Sequence, residues 1–176
     1  MAYELDSVEV AAATAKLLEQ RGVKLVDIAE LVMFLQKDYF PQLEMEMCLS
    51  NVVRVLSKRE VQNAVLTGIQ FDMLAEAGKL ADPLQDMIRY DEGLYGCDEI
   101  LALSIVNVYG SIGFTNFGYV DKMKPGILKE LNRKDGPLCH TFLDDIVGAI
   151  AAAASSRIAH RMQALKEGQQ DSPAFD

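Results

Sequence analysis

The chain has 176 residues, half of them hydrophobic, with aromatics at 7% and no tryptophan. Five prolines and twelve glycines are too few for a loop-rich all-β fold. Lys and Arg total 17 against 26 Asp and Glu, a net charge of −9 that argues against nonspecific nucleic-acid binding and against a polybasic membrane anchor. Ala, Leu, Ile, Val and Met supply the apolar content, which suits packed helices. The expected fold is therefore all-α, a single helical domain over 1–167 followed by a disordered tail at 168–176. Three cysteines, Cys48, Cys97 and Cys139, are odd in number and far apart, which points to free thiols in a reducing, cytoplasmic setting. The N-terminus shows no basic segment followed by an apolar run, so no signal peptide is expected.

Asp6 or Ser7 caps a first helix running to about residue 20, and Gly22 stops it. A second helix spans about 25–39, with Leu25, Ile28, Val32 and Leu35 at helical spacing and Pro41 beyond its end. A third covers about 45–56, and its Met45 and Met47 read as core filler. Ser57-Lys58-Arg59-Glu60 fits a capping box that opens or kinks the next helix, which ends at Ala77 before Gly78. Arg59, Glu60 and Asn63 read as a solvated face of it. Asp82-Pro83-Leu84-Gln85 starts a short helix with Pro at its first position.

Residues 91–96 form a loop, and a helix runs from about 97 to 109. Its Ile105-Val106-Asn107-Val108-Tyr109 run has strand-like propensity. The uncharged stretch 100–120 is long enough to span a bilayer. Its Asn107, Gly110, Ser111, Gly113, Thr115 and Asn116 favour a buried helix and turn instead. Glycines 110 to 113 break the helix, a short piece follows over 116–122, and Pro125 begins another. Residues 132–137 are turn-like. Thr141-Phe142-Leu143-Asp144 reads as a second capping box, opening a long helix to about residue 166. Within it, Gly148-Ala149-Ile150-Ala151-Ala152-Ala153-Ala154-Ser155-Ser156 is small on nearly every face. Such a helix admits close approach by several others, so it is expected at the centre, surrounded by about five helices.

Three acidic clusters punctuate the second half at even intervals: Asp98-Glu99, Asp121 and Asp144-Asp145. Each borders uncharged sequence, and Lys122, Lys124 and Pro125 follow Asp121. Carboxylates at risk of burial need a partner or a metal. A hard divalent cation held by several carboxylates, with a lysine nearby, is the chemistry of phosphate transfer or hydrolysis. Simpler roles compete. Asp98, Glu99 and Asp144 suit any helix N-terminus, and the lysines suit surface pairing with Asp121. His140 beside Cys139 lacks a second pair at zinc-ligand spacing. No Walker loop, GxGxxG motif or nucleophile elbow is present.

At Asp98-Glu99-Ile100-Leu101-Ala102, Val120-Asp121-Lys122-Met123-Lys124-Pro125-Gly126-Ile127 and Leu143-Asp144-Asp145-Ile146-Val147-Gly148-Ala149, the chain resembles the phosphatidylglycerophosphatase A family. The motifs stand in the family's order. Lys58-Arg59-Glu60-Val61-Gln62-Asn63-Ala64, Asp91-Glu92-Gly93-Leu94-Tyr95-Gly96 and Tyr109-Gly110-Ser111-Ile112-Gly113-Phe114-Thr115-Asn116 resemble its soluble firmicute branch, labelled low-temperature-requirement C. That branch is all-helical with one helix surrounded by others. The Gly/Pro-rich loop ending in Gly-Thr, found in the family's membrane enzymes, is not recognisable here.

The resemblance implies Mg²⁺-dependent hydrolysis of phosphatidylglycerophosphate to phosphatidylglycerol and phosphate. On that reading Asp98, Glu99, Asp121, Asp144 and Asp145 are the metal ligands. Asp121, Asp145 and Lys124 are the candidate catalytic residues, with Lys124, aided by Lys122, neutralising the phosphate. Which acid is base or nucleophile is left open. The implied partner is a phosphate ester, a phospholipid first. Peripheral contact with the inner face of the membrane and self-association both remain open. Two alternatives stand beside it: a non-catalytic helical scaffold or metal-binding protein that retains the acidic site, and a phosphatase for a soluble phosphate ester.

Overall fold

A computed structural model describes residues 6–167, so the tail expected at 168–176 lies outside the described residues. The described residues are helical, with no strand among them. The elements are α1 Ser7–Gln20, α2 Leu25–Gln36, α3 Met45–Leu56, α4 Arg59–Glu76, α5 Leu84–Arg89, α6 Cys97–Val106, a 3-10 turn Asn107–Tyr109, α7 Ser111–Met123, α8 Ile127–Leu131 and α9 Leu143–Lys166.

α9 is the axis of the fold. Every residue from 143 to 156 is buried, and α2, α3, α4, α6, α7 and α8 all pack on it. The expected central helix is therefore present, and its run of alanines explains the packing. Small side chains let several neighbours approach one backbone closely while the larger residues sit on the neighbours. Ile28, Val32, Val52, Ile69, Ile105 and Val120 are each no more than 1% exposed and supply that bulk.

Several local readings differ from the structure. Ser57 does not cap α4; its hydroxyl donates to the Arg54 carbonyl at 2.8 Å, and it closes α3 instead. Pro83 sits at the cap of α5, one place before the first helical residue. α2 ends at Gln36, short of Tyr39. The strand-prone run ends α6 and forms the 3-10 turn. Gly110, at φ 74°, makes the single break in the uncharged stretch. Gly113 lies inside α7, which is longer than its glycines suggested. It serves packing there: a Cβ would lie 2.9 Å from the Val106 Cγ1 and 3.3 Å from the Ser156 Oγ. Met45 and Met47 are 37% and 38% exposed, so they are not core filler. Among the described residues, no helix is long and apolar enough to cross a membrane.

Candidate metal centre at the N-terminal end of the central helix

Three helices bring the acidic clusters together. α6 opens at Gly96, whose left-handed φ of 65° turns the chain, and places Asp98 and Glu99 in its first turn. α7 carries Asp121 in its last turn. α9 carries Asp144 and Asp145 in its first turn. Carboxylate oxygens of Asp98, Glu99 and Asp145 all lie within 4.8 Å of one another. Asp98, Asp144 and Asp145 are buried, while Glu99 is exposed and Asp121 lies between.

Lys124 joins the remaining acids to this group. Its Nζ lies 2.5 Å from Asp121 Oδ1, 2.9 Å from Asp144 Oδ2 and 3.7 Å from Asp145 Oδ1. The backbone aims the side chain. Lys124 ends α7 in the left-handed conformation, φ 42° and ψ 52°, with its N–H donated to the Val120 carbonyl at 2.8 Å. Pro125 has no N–H with which to extend the helix. A non-glycine residue held there costs on the order of 1 kcal/mol. That strain falls on a residue that ties α7 to α9 through charge. Lys122, by contrast, takes part in none of these ion pairs.

The electrostatics are those of crowded acids. Burial raises the Asp145 carboxyl to about 8, with the Asp144 charge adding to the rise and Lys124 opposing it. Burial and the neighbouring Glu99 raise Asp98 to about 7. Burial also raises Asp144, against the pull of Lys124. Burial alone would lower the Lys124 ammonium, but the Asp144 and Asp121 carboxylates raise it well above its usual range. Asp98 Oδ1 is buried with no hydrogen-bond partner. An orphaned buried carboxylate oxygen facing two other carboxylates is what a bound cation would satisfy. The all-oxygen donor set fits a hard divalent ion rather than zinc. Cys139 and His140 are engaged elsewhere, with the Cys139 thiol at the Ile88 carbonyl and His140 Nδ1 at the Leu131 carbonyl.

The second capping box does not form. The Thr141 hydroxyl donates to the Ile88 carbonyl at 2.7 Å. Asp144 turns to Lys124 and to the N–H of Asp145. The cap comes from α4 instead: Asp72 accepts the N–H groups of Phe142 and Leu143, each at 3.0 Å. One turn further along α4, Glu76 accepts the Cys139 N–H at 2.7 Å and pairs with Arg21, which also donates to the Cys139 carbonyl. These contacts fix the segment that aims Asp144 and Asp145. None of Arg21, Asp72 and Glu76 was a site candidate from the sequence. The only local signal was an acid, Asp72, among the apolar residues Ile69, Phe71, Met73 and Leu74.

Comparison with known proteins agrees with the family resemblance. Residues 17–160 match the family model described as Phosphatidylglycerophosphatase A. The chain is 68% identical over 144 residues to the uncharacterized protein YutG of Bacillus subtilis, covering 82% of this chain and 87% of that one. A solved structure of a protein of unknown function from Bacillus stearothermophilus is 69% identical, with TM-score 0.84 over 86% of this chain and 94% of that one. The crystal structure of low temperature requirement C protein from Listeria monocytogenes is 64% identical, with TM-score 0.88 over 90% of this chain and 99% of that one. With its acidic motifs gathered at one end of a central helix, the chain belongs to the phosphatidylglycerophosphatase A family.

Proposed function

We propose that the protein is a Mg²⁺-dependent phosphomonoesterase that hydrolyses phosphatidylglycerophosphate to phosphatidylglycerol and phosphate. The observation that carries this reading is the meeting of Asp98, Glu99 and Asp145 within 4.8 Å, from helices that are far apart in sequence. Asp98, Glu99 and Asp145 would hold the ion directly, and Asp121 and Asp144 would hold it through water. When bound, Mg²⁺ supplies charge neutralisation at the phosphoryl oxygens and activation of water. Lys124 presents a compact ammonium that can move from its carboxylates to a phosphoryl oxygen. Burial and the Asp144 charge raise Asp145 to about 8 without an ion; a bound cation would reverse that shift and hold the carboxylate ionised as a ligand.

Exposed apolar side chains beside the site support a lipid substrate met at a membrane surface. Leu94 is 91% exposed just before α6, and Ile100 is 69% exposed one residue after Glu99. A lipid surface would cover such side chains.

A second reading, a non-catalytic scaffold, draws on Lys124. Its ammonium already contacts three carboxylates without an ion. One assay separates the readings: phosphate release from phosphatidylglycerophosphate in mixed micelles and from soluble phosphomonoesters, with Mg²⁺ and with chelator. Release that needs Mg²⁺ and favours the lipid supports the enzyme. Release favouring the soluble ester moves the substrate class. No release from either supports the scaffold.

A further inference from the structure

A cavity of about 150 Å³ with a mixed polar and apolar lining lies beside the acidic centre, between the end of α5 and the segment joining α8 to α9. Asp144 lines it, so cavity and acidic centre share a wall. Arg89, Arg133 and Lys134 line it as well. Two of these cations are committed to neighbouring acids. Lys134 lies 2.8 Å from Asp91, and Arg133 lies 2.8 Å from Asp135 and 3.6 Å from Glu130. Arg89 differs. Among the described residues its guanidinium makes one hydrogen bond, to the Pro137 carbonyl at 3.1 Å, and no ion pair. A guanidinium has five N–H donors in a fork that matches phosphate oxygens.

The acids of the lining do not cancel that charge. Asp144 is held by Lys124, and Asp91 by Lys134. Among the described residues, Arg89 is therefore the lining cation that is paired with no acid. The volume is below that of a site enclosing a whole drug-sized ligand, so it suits a headgroup fragment.

We propose that this cavity is an anion subsite in which Arg89 binds a phosphodiester group of the substrate. The phosphomonoester of the same molecule then lies at the acidic centre across Asp144. The cavity's affinity for a phosphodiester stands on its own geometry; the pairing of the two phosphates rests on the phosphomonoesterase reading. Arg89 acts as a specificity residue, selecting esters that carry a second phosphate over simple phosphomonoesters.

The test uses the full chain and a soluble probe, glycerophosphoglycerol, which has the diester and no monoester. Isothermal titration without Mg²⁺ should show binding to the parent. Arg89→Gln should weaken it about tenfold or more, as expected for losing a charge-assisted phosphate contact, and Arg89→Lys should restore part of it. A urea melt matching the parent shows that the variant is folded. In turnover, Arg89→Gln should lower kcat/KM for phosphatidylglycerophosphate about tenfold more than for p-nitrophenyl phosphate, mainly through KM. Equal binding by Arg89→Gln and parent, or no binding to the parent at millimolar probe, overturns the subsite. Inorganic phosphate displacing the probe at equal concentration overturns its assignment to a diester. If the parent hydrolyses no ester while probe binding still depends on Arg89, the subsite stands and the phosphomonoesterase reading falls.

Discussion

Asp72 caps a helix to which it does not belong: its Oδ2 accepts the Leu143 N–H at 3.0 Å, across 71 residues of sequence. Its other oxygen takes the Phe142 N–H. The first N–H groups of any helix need acceptors, and α9 has no cap of its own. Asp72→Ala should therefore destabilise the protein by about 2–4 kcal/mol, the sum of a lost cap and buried unpaired donors. Asp72→Asn, which keeps one acceptor, should lose less. Urea unfolding of the three proteins checks the order, and a loss below about 0.5 kcal/mol in the alanine variant would remove Asp72 from this role.

Asp145→Asn should cut Mg²⁺-dependent phosphate release by about 100-fold or more, since it removes a charge from the ion's ligands. The same change relieves repulsion from Asp144, Asp121 and Asp98. The chelated variant should melt roughly 2–4 °C above the chelated parent. A variant that melts lower and keeps full turnover per folded molecule would assign Asp145 a structural role only.

Lys124→Ala takes the counter-cation from Asp121, Asp144 and Asp145 at once. Turnover should fall, and the chelated protein should melt lower than the parent. The gain in melting temperature on adding Mg²⁺ should be larger than in the parent, because the ion then replaces a missing charge as well as binding the native state. Equal Mg²⁺ gains in both proteins would separate Lys124 from the ion's site.

Stability without metal should depend on pH with a defined sign. Asp72 and Asp145 are raised to about 8 and Asp98 to about 7, chiefly by burial. In the unfolded chain such groups titrate near the ordinary carboxyl value of about 4. A raised folded pKa gives stability that is full below the unfolded value and is lost as pH climbs through the folded one. Chelated protein should therefore need more urea to unfold at pH 5.5 than at pH 8.5. Saturating Mg²⁺ should flatten the difference by favouring the ionised acids. A higher midpoint at pH 8.5 under chelation would contradict the burial of these acids.

Leu94→Ser should weaken binding to anionic phospholipid vesicles roughly tenfold, since burying a leucine contributes about 1.5–3 kcal/mol. Co-sedimentation with phosphatidylglycerol vesicles measures it. Equal partition of variant and parent would remove Leu94 from the membrane contact.

The central helix was legible because its signal is local: a run of alanines and serines needs no partner to be recognised. The acidic motifs were legible through their order along the chain, and the Asp121–Lys124 pair through its spacing of three residues. The rest depended on distance. Ser57 and Thr141 have the spacing of caps, yet each hydroxyl donates to a carbonyl instead. No spacing rule links Asp72 to Leu143, Glu76 to Cys139 or Lys124 to Asp144, because those pairs exist only once α4, α7 and α9 have packed. Gly113 misled for the same reason: as sequence it breaks a helix, and in the fold it makes room for Val106 and Ser156. The Arg89 cavity needed two stretches, 89–91 and 131–144, to be in place before it could be seen.

The helix on which the others pack is also the one that comes last among those described. A ribosome releases α2, α3, α4, α6 and α7 before it has made the surface they share. Until α9 emerges, their apolar faces have only one another for cover. Such nascent intermediates are exposed to aggregation, and the acidic centre cannot exist in them, since two of its carboxylates arrive with α9. The step that completes the core of the described residues is therefore also the step that completes the site.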